Sequence, residues 1–244
     1  MLRFALVTLV HNKDKFLTDC FRSTFRQTFK DFLHIVVNDG STDNSEEVIN
    51  HFVKKKGNIV YYPFKDKAGQ MPRYNYVLRK LNKNYPHIKY MGHLDGDDML
   101  LPDAIHDTFK YFETTRRKNV GHLSTKFYIM DAKNTVVDKK PRDFPRLDNI
   151  NQWRKAQIIN NLFGHFRVMR MDCLNKVGGF DEQFEFATDY NMACRMLDKF
   201  NVDVLPRPLY LWRRHGKQVE GINGKKQTEC WRLMQQYYKK RWKL

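Results

Sequence analysis

"FALVTLVHNKDKFLTDCFRSTFRQTFKDFLHIVV", residues 4–37, decides how the rest of the chain is read. Residues 4–10 are a continuous apolar run of strand length, and residues 32–37 read as a second buried strand. Between them Phe16, Leu17, Cys20, Phe21 and Phe25 recur at helical spacing. Strand, helix, strand is a βαβ unit, and runs apolar on both faces are what a parallel sheet covered on both sides requires.

The pattern repeats outward from there. "STDNSEEVINHFVKK" (41–55) is a helix with Ser and Asp as N-cap candidates and Glu in its first turn. "NIVYY" (58–62), the helix "QMPRYNYVLRKLN" (70–82) and "IKYMGHL" (88–94) continue the series. The expected fold class is therefore α/β, a Rossmann-like parallel sheet with helices on both faces. Ligands of such sheets bind beyond the carboxyl ends of the strands. His11 and Asn12, Asn38 and Asp39, and Asp95 to Asp98 fall at those ends.

After Pro102 the periodicity changes. A helix (102–118), a strand (119–131), a polar stretch (133–149) and a helix (150–163) precede the short segment "GHFRVMRMDCLNKVGGF" (164–180). "ATDYNMACRMLDKF" (187–200) is helical, and "VDVLPRPLYLWRR" (202–214) reads as two short strands broken by prolines. With no repeat and no Gly/Ser-rich linker, the second half is expected to supply the other wall of one cleft.

At 244 residues, 41% hydrophobic and 14% aromatic, the chain folds and is not disordered. No apolar run approaches the ~18 residues that would span a bilayer. The N-terminus reads as a core strand and not as a signal peptide. Cys20, Cys173, Cys194 and Cys230 are scattered without a C-x-x-C pair, which points to reduced thiols and a cytoplasmic protein. A net charge of +17, with clusters at 54–56, 116–118 and 239–243, favours nucleic acid, anionic lipid or phosphorylated ligands as partners.

"GHLDGDDMLLPD" (92–103) crowds Asp95, Asp97 and Asp98 into four positions of this basic chain. Such carboxylates need a cation, arginines, or their own donors in a turn before the next helix. Gly96 is expected to turn the chain so that Asp95 and Asp97 face one cleft, which suits Mg²⁺ or Mn²⁺. An EF-hand is excluded, because Met99, Leu100 and His106 stand where it needs an oxygen ligand, glycine and glutamate. Asp39 ends a strand in "HIVVNDGSTDNS" (34–45), where it either serves an Asp-Gly turn or meets a base or ribose. Asp189 opens a helix, so it either satisfies helix N–H groups or faces the cleft as a general base. Arg213 and His215, two apart near the end of a strand, are candidates for phosphate and metal.

In chain order, "VVNDGSTDNS", Arg73, "LDGDDMLLPD", "RMDCLNKVGGFDEQF", "TDYNMACRM" and "LYLWRRH" closely resemble the GT-A glycosyltransferases of family 2, over about residues 1–216. The resemblance implies a nucleotide-binding half (1–101) fused to an acceptor half (102–216), with a basic aromatic helix at 217–244 beyond it. It implies inverting transfer from a nucleotide-sugar, a UDP-sugar first among them, to a hydroxyl of a glycan or lipid-linked acceptor. By position, Val10 and Asn12 meet the nucleotide, Asp39 holds the base and Arg73 assists. Asp95 and Asp97 form the D-x-D motif for a divalent metal, with Asp95 also near the ribose. Asp189 matches the catalytic base of "E-D-x-x-L-x-x-R", with Arg195 as its later arginine. Arg213 and His215 match an "R-x-H" approaching diphosphate and metal. Three positions depart from the pattern: Leu9 for proline, Asn38 for aspartate, and Thr188 for glutamate.

A nucleic-acid-binding protein is the rival reading of the charge, but it leaves the ordered aspartates unexplained, and nucleic acid is not the expected partner. A nucleotidyltransferase shares the metal and the nucleotide, yet no glycine-rich triphosphate loop is present. In the tail, Trp231, Met234, Tyr238 and Trp242 fall near one helical face. That face either packs on the domain or lies at the inner surface of an anionic membrane, with the lysines on the head groups.

Overall fold

In a computed structural model, residues 2–55, 57–216 and 219–244 are described, without the side chains of 219–223. Lys56 of the first basic cluster and Lys217 lie outside them. The first half holds β1 (Phe4–Val10), α1 (Asp14–Phe25), β2 (Phe32–Asp39), α2 (Ser45–Val53), β3 (Ile59–Phe64), α3 (Gln70–Asn84) and β4 (Tyr90–Asp95). These four strands pair in parallel in the order β3-β2-β1-β4. All seven residues of β1 and all eight of β2 are buried, which is why their apolar runs do not alternate with polar residues.

Both faces of the sheet are covered. Ala5, Val7 and Leu9 pack toward Tyr74, Val77 and Leu81 of α3, while Phe4 and Leu6 pack toward Leu17 and Phe21 of α1. One polar pair is admitted: Thr8 Oγ1 and His34 Nε2 lie 2.9 Å apart in the buried layer. The β2–α2 turn depends on Gly40, whose φ is +65° and where a Cβ would sit 2.7 Å from the backbone at Asp66. Gly96 differs from its expected role. Its φ is not positive; its smallness admits the Leu9 carbonyl, 3.3 Å from where a Cβ would lie.

The second half adds β5 (Met99–Leu100), α4 (Ala104–Thr114), β6 (Val120–Met130), α5 (Ile150–Ile159), β7 (Arg167–Arg170), α6 (Met171–Lys176), α7 (Thr188–Lys199), β8 (Asn201–Arg213) and α8 (Val219–Arg241). The sheet continues as β4-β7-β6-β8-β5, with β7 antiparallel to both neighbours. Residues 201–213 form one thirteen-residue strand and not the two expected from the prolines. Its pairing with β6 shifts register between Thr125 and Phe127, so the exposed Pro206 and the half-buried Pro208 sit at a bulge.

The tail packs inward. Met234 and Tyr238 are buried against Ala187, Tyr190 and Cys194 of the α7 region. Gln235 donates to the Ile158 carbonyl at 2.7 Å, and Arg241 and Trp242 each donate to Asp198 at 2.7 Å. The aromatic stripe that the membrane reading assigned to lipid is therefore covered by protein. The outer face keeps Leu233, Tyr237 and Leu244 exposed among Lys239, Lys240 and Lys243. Among the described residues no helix is long and apolar enough to cross a membrane.

Candidate active site

The three crowded aspartates have three different environments. Asp98 points into the core: Tyr210 Oη donates to it at 2.7 Å, and so does the Arg213 backbone N–H. Burial, reinforced by Asp97 and Asp95, pushes its carboxyl well above the usual range. Asp97 Oδ2 accepts from the Lys13 ammonium and lies 2.9 Å from His215 Nε2. Burial opposes its ionisation, but the His215 hydrogen bond and the Lys13 charge prevail and hold it at about 2. Asp95, ending β4, keeps a quarter of its side chain exposed, with Arg167 Nη2 at 3.4 Å and His165 Nδ1 at 3.9 Å. Burial raises its carboxyl, opposed by Arg167 and aided by Asp97. The protein thus offsets the like charges with its own cations.

The donor types at this turn, carboxylate and imidazole, are those a hard divalent cation takes. Asp95 and Asp97 offer carboxylates and His215 an imidazole, the ligands that Mn²⁺ accepts beside phosphate oxygens. Oxygens of Asp95 and Asp98 and a ring nitrogen of His165 also lie within 4.8 Å of one another. Asp98 is the poorer ligand, because both its oxygens already serve Tyr210 and Arg213.

Asp189 stands in the first turn of α7, after Ala187 at φ 51° and with no side-chain cap on that helix. Its carboxylate does not serve helix N–H groups. Instead Asn161 Nδ2 donates to Oδ2 at 2.8 Å, and Arg167 Nη1 lies 3.7 Å from the same oxygen. Arg167, on β7 beside β4, therefore faces both Asp95 and Asp189. Arg195, the later arginine of that motif, holds the end of α6 through the Val177 carbonyl at 2.5 Å.

On the first-half side, Val10 is buried at the end of β1, and Asn12 ties two loops by accepting from Thr42 N at 2.8 Å. Asp39 accepts from Ala68 N and Gly69 N at 2.8 Å and from Arg73 Nε at 2.7 Å. The Arg73 guanidinium stacks 3.6 Å from the centre of the Phe64 ring. Asp39 and Arg73 thus form one unit that anchors the loop after β3.

Arg213 is not placed as expected. Its side chain is 0% exposed, donating from Nε to the Asp97 carbonyl at 2.6 Å and from Nη1 to Asn134 Oδ1 at 2.5 Å. It braces the D-x-D turn from behind, with no free face for a diphosphate. Sequence reasoning missed Lys13, Asn161, His165 and Arg167. In "GHFRVMR" His165 precedes β7 and Arg167 opens it, so strand alternation alone does not place them together, although both approach Asp95 Oδ2.

The comparisons agree with this architecture. An uncharacterized glycosyltransferase of Methanocaldococcus jannaschii is 24% identical over 213 residues, covering 86% of this chain and 70% of that protein. The chondroitin synthase of Pasteurella multocida is 28% identical over 198 residues, 80% of this chain but only 19% of the synthase. Among solved structures, S. aureus TarS 1-349 in complex with UDP-GlcNAc superposes with a TM-score of 0.70 at 16% identity, over 88% of this chain and 60% of that one. The chain spans a fifth or less of the chondroitin synthase and three fifths of that TarS chain. A family model described as glycosyl transferase family 2 matches residues 5–178. This α/β chain, with its GT-A architecture, belongs to glycosyl transferase family 2 and is a glycosyltransferase.

Proposed function

We infer that the chain transfers a sugar from a nucleotide-sugar, a UDP-sugar first among them, to a hydroxyl of a glycan or lipid-linked acceptor, with inversion. The observation that carries this reading is that Arg167 faces both Asp95 and Asp189, while Asp97, two residues from Asp95, pairs with His215. The UDP-GlcNAc complex of TarS and the glycan product of the chondroitin synthase support donor and acceptor class. Residues 1–101 form the donor half and 102–216 the acceptor half, with 217–244 as a basic helix beyond.

Val10 and Asn12 line the nucleotide side, and the Asp39–Arg73 unit fixes the loop against which the base lies. Asp95, Asp97 and His215 would hold Mn²⁺ or Mg²⁺, which supplies Lewis-acid neutralisation of the leaving diphosphate. Lys13, which holds Asp97 here, would have to release that carboxylate to a bound cation and would remain a positive charge for an anionic donor. Asp189 takes the proton of the acceptor hydroxyl as that oxygen attacks the anomeric carbon from the face opposite the diphosphate. The exposed Lys239 and Lys240 of α8, with Lys243 just beyond it, support contact with an anionic membrane at its cytoplasmic face, in reach of a lipid-linked acceptor.

Asp189→Asn preserves shape and most hydrogen bonding while removing the base. Its donor affinity is expected to stay within about threefold of wild type while turnover falls 10²–10⁴-fold, roughly what a general base contributes. Unimpaired turnover in that variant places the base elsewhere.

A further inference from the structure

We propose that Asn161 and Arg167 are positioning residues for the base: they anchor Oδ2 of Asp189 and leave Oδ1 as the oxygen that takes the acceptor's proton. The proposal rests on Asp189 being the base. Both contacts of the carboxylate fall on one oxygen, Asn161 at 2.8 Å and Arg167 at 3.7 Å. Among the described residues, the carboxylate's side-chain hydrogen bond is made at Oδ2, and none is made at Oδ1. A carboxylate held by one oxygen cannot exchange its two oxygens by rotating about its terminal torsion, so the other is presented in a fixed direction.

Each anchor is itself fixed. Asn161 Oδ1 faces Phe163 N and Gln157 Nε2, each at 3.4 Å, which orients the amide so that Nδ2 points at Asp189. Gln157 is fully buried, and its own oxygen accepts from Leu162 N at 3.1 Å. Arg167 emerges from β7, in register with His93 on β4. Burial opposes its charge, but Asp95 and Asp189 keep it protonated. Burial and this guanidinium hold the neighbouring His93 and His122 neutral. The two carboxylates are thus the groups that Arg167 bridges, and it sets the base relative to the donor-side Asp95.

In the transfer step the acceptor O–H proton passes to Oδ1 of Asp189 while the acceptor oxygen bonds to the anomeric carbon. The bond from that carbon to the diphosphate oxygen breaks, and its electron pair leaves with the diphosphate. A base free to rotate would meet this geometry only part of the time. Misplacement on the scale of an ångström costs about 10²-fold.

The test is steady-state hydrolysis of the fastest donor from a panel of UDP-sugars, with water standing in for the acceptor hydroxyl. It is run with Asn161→Ala, Arg167→Met, Arg167→Lys, the Asn161→Ala/Arg167→Met double variant and Asp189→Asn. Melting curves and calorimetric UDP binding with Mn²⁺ accompany each. Expected is a loss of about 10²-fold in kcat for Asn161→Ala and Arg167→Met. Donor KM and UDP affinity stay within about threefold of wild type for Asn161→Ala, while Arg167→Met, which also removes the charge beside Asp95, changes UDP affinity as well. Arg167→Lys recovers to within about tenfold of wild type. The double variant is no more than about threefold slower than the worse single, since both act on one oxygen. Should Arg167→Met fail to fold, Asn161→Ala and Arg167→Lys carry the comparison. Wild-type kcat in Asn161→Ala, or losses that simply multiply in the double variant, overturn the proposal. An Asp189→Asn variant that hydrolyses donor at the wild-type rate defeats the base reading itself. A silent Asp189→Asn beside unimpaired Asn161 and Arg167 variants defeats only the positioning.

Discussion

His215 Nε2 lies 2.9 Å from Oδ2 of Asp97, the oxygen that also accepts the Lys13 ammonium. Residues from opposite ends of the chain thus meet on one carboxylate oxygen, which stays ionised although Asp97 is only 7% exposed. A buried anion so placed, with a flexible lysine as one of its two partners, is prepared to exchange that partner for a stronger cation.

Asp97→Ala removes that anion from a turn braced independently by Asp98 and Arg213. The fold is expected to survive, and Mn²⁺-dependent binding of UDP to weaken at least about tenfold. Titration calorimetry with and without Mn²⁺ measures it. Unchanged binding removes Asp97 from the metal site.

Acid sensitivity is expected to trace in part to His122. It is fully buried, stacked 4.8 Å from Phe163, and burial with the nearby Arg167 charge lowers it from 6.5 to about 3. Between those values the unfolded chain binds a proton that the folded chain refuses, so stability falls as pH drops from 6.5 toward 3. In His122→Leu the stability-versus-pH slope across that window should differ from wild type by up to about 1.4 kcal/mol per pH unit. Denaturant melts at several pH values read it, and parallel slopes for the two proteins contradict the assignment.

Most of the first half was legible because β1 and β2 are buried on both faces and their neighbours are amphipathic helices, so periodicity and burial agree. The second half was less so. Pro206 and Pro208 break hydrogen bonding only at a bulge, where a strand tolerates them, and local sequence does not reveal which partner accommodates the bulge. The aspartates could be located at a strand end, but not their separate fates. Those depend on Lys13, Arg167 and Tyr210, which lie 84, 72 and 112 positions away from the carboxylates they touch. Arg213 went astray for a related reason: position in a motif does not tell whether a guanidinium faces a cleft or the back of a turn.

The outer face of α8 predicts weak, charge-driven membrane binding. At ~1 kcal/mol per lysine, replacing Lys239, Lys240 and Lys243 with alanine should lower partition onto anionic vesicles on the order of 100-fold. Neutral vesicles should pellet neither protein. Co-sedimentation that is negligible for wild type on anionic vesicles leaves α8 as packing alone.

Release of nucleoside diphosphate from a panel of UDP- and GDP-sugars, with Mn²⁺ and with chelator, tests the central claim most directly. The account predicts that at least one UDP-sugar is turned over with Mn²⁺, and that chelator or Asp97→Ala reduces the rate by about 10²-fold or more. Undiminished turnover in chelator, or a folded protein that neither binds nor hydrolyses any donor with Mn²⁺, contradicts it.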